Sequence, residues 1–418
     1  MTILGRTALK RGGGFLLGLI LAAALALPAG QEKGKVIPSP VEVRVRVSDG
    51  GRFIDGLGLK DFEILENGLP QSVEALYVVH GQKIEGKEEN RPLQPSVARS
   101  YYLLFQAVDW DPRLAEAIDY LFSSVLLPGD TMTLVTPMKP YSLQKDALAT
   151  KPKEALSKSM QDILRKDIQR GGGEYRDIIK TLRRVTNAID VNQKNIEDDM
   201  ETDTSSSSFG LQQQLDFYRN GIKKMESLRL VDENKLVAFA DALRPRPGQK
   251  TVYFFYEREY RPEISPMTMQ VLLSQYQDDP TVQGNLMDLF QFYKREATFS
   301  ADRVKKAFAD ADISFHFIFM DKKSQRVFGG SMHEQSEDIF PGFRELALST
   351  GGLCEISQNP AASFKRAAAS TESYYLLYYT PANMTADGGF RPIQVKVKAK
   401  DPAGKDYAVT ARLGYYAR

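Results

Sequence analysis

The sequence predicts an α/β chain: a doubly wound, mainly parallel sheet with a long helical insertion, joined to a β-sandwich built from N- and C-terminal strands. Three observations predict it. Ser100–Thr136 reads strand, turn, helix, turn, strand, which is a βαβ unit. Thr251–Tyr256 and Ile313–Met320 are apolar on both faces, as strands covered on both sides are. Segments alternating with a period of two lie before and after this region, within 36–80 and 372–418.

Within the βαβ unit, Tyr101–Val108 is almost continuously apolar. Asp111 is a candidate cap, with Pro112 at the first helical position. Leu114, Ala117, Ile118, Leu121, Phe122 and Val125 recur at helical spacing. Pro128-Gly129-Asp130 stops the helix, and Thr131–Val135 opens the next strand.

At the N-terminus, Arg6, Lys10 and Arg11 precede a 13-residue apolar run, Phe15–Leu27, followed by Pro28-Ala29-Gly30. That layout predicts a secretory signal peptide over 1–30. The run is shorter than the ~20 residues of a membrane span; an uncleaved anchor is the alternative. In 36–80, Val41, Val43, Val45 and Val47 alternate with polar residues. Asp61–Leu65 and Gln71–Val79 follow as strands joined by Asn67-Gly68, a hairpin signal. Gly81–Pro95 is polar and reads as a linker into the α/β domain, 98–371.

The helical insertion spans 150–243. Lys153–Gln193 and Leu211–Leu243 have helical character, and between them lies IEDDMETDTSSSSFG, acidic and serine-rich with little to bury. It reads as a solvated tip joining two long helices or as a partner-binding loop. Gly171–Gly173 follows a helical pattern rather than a strand, so it reads as a helix break and not a phosphate loop. Further on, helices are expected within Pro266–Ala309 and at Phe340–Ser349 and Pro360–Ser370, with a short strand at Leu353–Ile356. Ser373–Tyr379, Ile393–Val397 and Tyr407–Leu413 complete the sandwich, and Tyr374, Tyr375, Tyr378 and Tyr379 should lie partly in core and partly at the surface.

Composition narrows the function. The 418 residues are 42% hydrophobic and 26% charged, ordinary for a globular chain. Without 1–30, which carries three positive charges and no acid, the net charge of +2 becomes about −1. Nothing there points to nucleic acid. The lone Cys354 cannot form an intrachain disulfide, is expected to be a buried inert thiol, and fits an exported protein large enough to do without disulfides. His80, His316 and His333 show no metal spacing, and His316 is expected as a hydrogen-bonded core residue. No serine sits in a G-x-S-x-G turn.

Several stretches carry a likeness: VRVSDGGRFIDGLGLKDFEILENGLPQSVEALYVV, PGDTMTLVT, PGQKTVYFF, FRELALSTGGLCEI and the closing SYYLLYYTP…FRPIQVKVKAK…VTARLGYYAR. In order and spacing they resemble bacterial, Acidobacteria-type, von Willebrand factor A domain-related proteins, over most of the chain except about Asp146–Asp232. The resemblance implies a von Willebrand A-type domain that binds ligands at the carboxyl ends of its strands. It also implies a metal-ion-dependent adhesion site of the pattern Asp-x-Ser-x-Ser after the first strand. Here that strand ends FQAVDWDPRL. Counting from Asp109 replaces the serines by Asp111 and Arg113; counting from Gln106 loses the leading carboxylate and replaces them by Val108 and Trp110. The site is degenerate in either register. Asp109, Asp111 and Glu257 could still form an improvised cation site.

The expected function is therefore non-catalytic protein binding by an exported protein, periplasmic or extracellular. Its partner is a protein ligand in the cell envelope or outside the cell, with no cofactor, and with membrane contact only through an uncleaved signal. The candidate contact residues are Asp109, Trp110, Asp111, Arg113, Glu257 and Arg258. Trp110 is either an exposed anchor or a plug in the degenerate site. Two alternatives stand beside this: a metal-dependent adhesin using the improvised carboxylates, and an envelope hydrolase with a dispersed site.

Overall fold

The computed structural model describes residues 40–90, 92–144, 146–198, 204–293, 299–324, 330–383 and 385–418. The expected signal, 1–30, and residues 199–203 of the acidic segment lie outside them. Among the described residues no helix is long and apolar enough to cross a membrane.

A six-stranded sheet forms the centre, in the order Cys354–Ser357, Ile313–Met320, Gln249–Glu257, Arg99–Gln106, Thr131–Val135, Pro140–Ser142. The first five are parallel, and Pro140–Ser142 runs antiparallel along one edge. Side chains along each strand alternate between two faces, and both faces are covered. Leu103, Phe105, Tyr253 and Phe255 meet helices Arg113–Tyr120, Lys153–Gly171 and Pro360–Glu372. Tyr102, Leu104, Phe254, Phe315 and Phe317 meet helices Glu233–Leu243, Ala301–Asp310 and Phe340–Ser349. Two-sided burial is why these strands read as unbroken apolar runs. The helix after the first strand ends in a wide turn over Leu121–Val125, where the Leu126 N–H reaches the Leu121 carbonyl at 2.9 Å.

Both ends of the chain share two antiparallel sheets. Val41–Asp49 pairs with Ser373–Tyr379 and Ala408–Ala411, and Ser373–Tyr379 pairs in turn with Val73–His80. Phe62–Glu66 pairs with Phe390–Val397 in the second sheet. Val43, Val45, Ile64, Tyr375, Leu377 and Ile393 fill one cluster between them.

The linker reading of Gly81–Pro95 is corrected: Lys83–Glu89 is a strand paired with Val73–His80. Its polar sequence suits an exposed edge, where charge discourages pairing with another chain. The four tyrosines are corrected as well. All are buried, because their strand is internal to its sheet and covered on both faces. Tyr375 and Tyr379 enter the shared cluster, while Tyr374 and Tyr378 meet Tyr77 on the other side.

Of the expected insertion, the helices at 153–171 and 233–243 lie on the sheet. The helices Gly173–Asp198 and Thr204–Arg229 leave it and join Pro266–Gln275 and Pro280–Tyr293 around Leu182, Leu215, Tyr218 and Leu286. Tyr218 donates its hydroxyl to the Pro262 carbonyl at 2.6 Å and receives that of Tyr293 at 2.7 Å. Val108 and Ile264 belong to the same cluster, which seats this helical layer against the carboxyl end of the sheet. An unforeseen ribbon, Tyr260–Ile264 with Gly330–Glu334, runs beside it.

Candidate functional site

The order of the parallel strands reverses once. The chain passes from Arg99–Gln106 outward to Thr131–Val135, then returns to lay Gln249–Glu257 and its successors on the opposite side. Loops leaving neighbouring strands at such a point diverge to opposite faces and leave a crevice between them. Here the crevice is lined by the loop after Gln106, by Glu257 at the end of its strand, and by Asp321-Lys322-Lys323 after Met320.

Glu257 is the buried centre, 6% exposed. One carboxylate oxygen accepts the backbone N–H groups of Val108, at 2.6 Å, and Asp109, at 3.0 Å. The other accepts Lys322 Nζ, which also donates to Asp109 Oδ2 at 3.0 Å. One ammonium thus holds two carboxylates from different loops. Burial pushes the Glu257 carboxyl above its ordinary range, against the pull of Lys322 and the Asp109 N–H. For Lys322, burial alone would lower the pKa, but Glu257 and Asp109 outweigh it and hold the ammonium above its usual value.

The six candidate residues come to the same end of the sheet without forming one cluster. Asp109 and Glu257 meet at Lys322. Asp111 lines the crevice beside Trp110 but binds Arg113 there, accepting from its backbone N–H and Nε at 2.9 Å each, and from Nη2 at 2.8 Å. Asp111 thus accepts the first N–H of helix Arg113–Tyr120 from just outside it, with Pro112 between, and the Arg113 charge is held by Asp111 rather than by Asp109 and Glu257. Arg258 bridges Asp321, at 2.9 Å, and Glu334, at 2.6 Å. Trp110 is half-buried, packed on the sheet's apolar cluster while lining the crevice, and so is neither a free anchor nor a sealed plug.

Lys322 was not among the candidates. The signal for it was positional: it is the second residue after a central strand. Arg176 was missed as well. It comes from helix Gly173–Asp198, donates to the Val108 carbonyl, and lies 3.9 Å from Asp109 Oδ1. Gly172 explains the approach, since a Cβ there would run into that same carbonyl. The helix break at Gly171–Gly173 is what brings the helical layer down onto the loop after the first strand.

Away from the crevice, His316 is fully buried and its Nδ1 accepts the Leu353 N–H at 3.1 Å. Cys354 is half-buried rather than buried, because its strand lies at the sheet edge, and burial raises its thiol pKa. No family model, curated protein or solved structure matched this chain.

Proposed function

We propose that this chain is an exported, non-catalytic protein-binding module: a divergent von Willebrand A-type domain with a degenerate metal site, set in a β-sandwich made from the two chain ends. The observation that carries the reading is the Lys322 ammonium between Asp109 and Glu257 at the strand reversal. A crevice of this kind that takes a divalent ion needs carboxylates free to ligate it. Here both are engaged by a cation belonging to the chain itself. The strand order and the helices on both faces support the fold assignment.

The test is melting of the purified chain with Mg²⁺, Mn²⁺ or EDTA, alongside affinity capture from envelope extracts under the same conditions. A specific partner retained in EDTA, with a melting temperature indifferent to the ions, is the expected result. A partner lost in EDTA would favour the metal-dependent adhesin, with Asp109 and Glu257 released from Lys322. Capture should weaken with Trp110→Ala and Arg113→Ala; unchanged capture would move the contact surface to the helical layer.

A further inference from the structure

Between the sheet and the helical layer the crevice opens into a cleft of about 390 Å³, which shares Asp109, Glu257, Lys322 and Lys323 in its lining with a second of about 390 Å³ beside Trp110. Arg176, Lys180 and Arg183 line the first from one side, at positions that share a helix face. Arg258, Lys322 and Lys323 line it from the other. Three carboxylates are present, and each is engaged: Asp109 and Glu257 by Lys322, and Glu259 by the buried Arg229 behind it. Lys180 and Lys323 are exposed, and neither has an ion-pair partner among the described residues. Ile179, Tyr260 and Met332 lie among these cations in the lining.

We infer that this cleft receives an extended acidic segment of the protein partner, its carboxylates on Lys180 and Lys323 and its apolar side chains on Ile179 and Met332. The inference rests on the protein-binding reading and adds the partner's chemistry. The cations stand on two opposed walls rather than converging on one point, which suits separated carboxylates better than a single phosphate. A formal net charge of only +2 for the whole chain is far from the field that nucleic-acid binders carry. The apolar lining suits side chains that alternate with the acids.

The experiment is fluorescence polarisation of the purified chain with a short labelled peptide in which glutamates alternate with leucine and tyrosine. Its control carries glutamine for each glutamate. The acidic peptide should bind and the control should not, with affinity falling about tenfold in ~0.3 M salt. Lys180→Glu with Lys323→Glu should weaken binding at least about tenfold, and Lys180→Gln with Lys323→Gln by less. Both positions are exposed, so melting should not change, and melting of each variant is measured beside the titration.

Absent binding, or binding indifferent to the double variant, overturns the inference. So does full displacement by millimolar inorganic phosphate, which would mark a simple anion site. Salt-sensitive self-association, abolished by neutralising the acids of 197–203, would make a second copy the occupant and overturn the partner assignment. If extract capture yields a partner that the double variant holds as well as wild type, the protein-binding reading stands and this inference alone falls.

Discussion

At the residue scale the decisive group is Lys322. Its side chain is 39% exposed, and that of Glu257 only 8%. Removing one member of a fully buried pair costs about 3–5 kcal/mol; partial exposure screens this one, so Lys322→Met should cost about 1–2 kcal/mol. Denaturant titration would read it. The variant leaves Asp109 and Glu257 facing each other, and millimolar Mn²⁺ should then recover part of the lost melting temperature, while wild type stays unmoved. A wild-type chain stabilised by Mn²⁺ to the same degree would mean that Lys322 yields the site to metal. Asp109 and Glu257 were legible in the sequence because each stands at the end of an apolar strand, where crevice residues belong. Lys322 stands there too, but it is one residue of the polar run Asp321-Lys322-Lys323-Ser324, in which nothing sets it apart. Nothing in the spacing of Asp111 said whether it would join the carboxylates or cap its own helix; the tie was broken by Arg113, two residues on.

Elements explain what brings the two walls of the cleft together. Gly172 lets helix Gly173–Asp198 start against the Val108 carbonyl, while its neighbour Gly173 has open space where a Cβ would stand. Adjacent glycines therefore predict opposite outcomes. Gly172→Ala forces the helix away from the loop and should cost about 1–3 kcal/mol, as overpacking does. Gly173→Ala should be neutral or stabilise by up to about 1 kcal/mol through helix propensity. Chemical denaturation of the two single variants settles it, and equal destabilisation would remove Gly172 from its positioning role. The sequence marked this triplet as a break but not its purpose, because the partner carbonyl lies far away in the chain. The same limit hid the Lys83–Glu89 edge strand and the Tyr260–Ile264 ribbon. Lys83–Glu89 is mostly exposed, and Tyr260–Ile264 buries Arg261, Pro262 and Ile264 out of step with a two-residue period, so periodicity detects neither. The central strands, by contrast, were legible because burial on both faces demands a composition that little else does.

For the whole molecule, the question is how the sheets made by the chain ends stay joined to the α/β part. Arg44, on a terminal strand, reaches Asp312 at the foot of the central sheet, and His316 lies buried on the following strand. Both acids and bases here respond to pH with a definite sign. Burial, with the nearby Arg46 charge, lowers the His316 pKa from 6.5 to about 3. A depressed pKa means the unfolded chain takes up the proton first. Stability from the neutral ring is complete above about pH 6.5 and is lost as pH falls toward 3, by up to ~1.4 kcal/mol per pH unit. Burial would raise the Asp312 carboxyl, but Arg44, Arg412 and Lys250 outweigh it and hold it below its ordinary 3.8. Its contribution is thus complete above that value and lost below it. Wild-type melting should begin to fall near pH 6.5 and steepen under about pH 4. His316→Asn, whose amide oxygen can still accept the Leu353 N–H, should flatten the upper limb and leave the lower one. Asp312→Asn keeps a residue tolerant of the left-handed backbone at φ 52°, yet leaves the buried Arg44 guanidinium with Glu42, at 2.7 Å, as its one remaining carboxylate partner among the described residues. With Glu42 still compensating part of that charge, it should lose about 1–3 kcal/mol at neutral pH and flatten the lower limb only. A wild-type melting temperature level from pH 7 to 4 would show that His316 is not the group that makes this junction sensitive to acid.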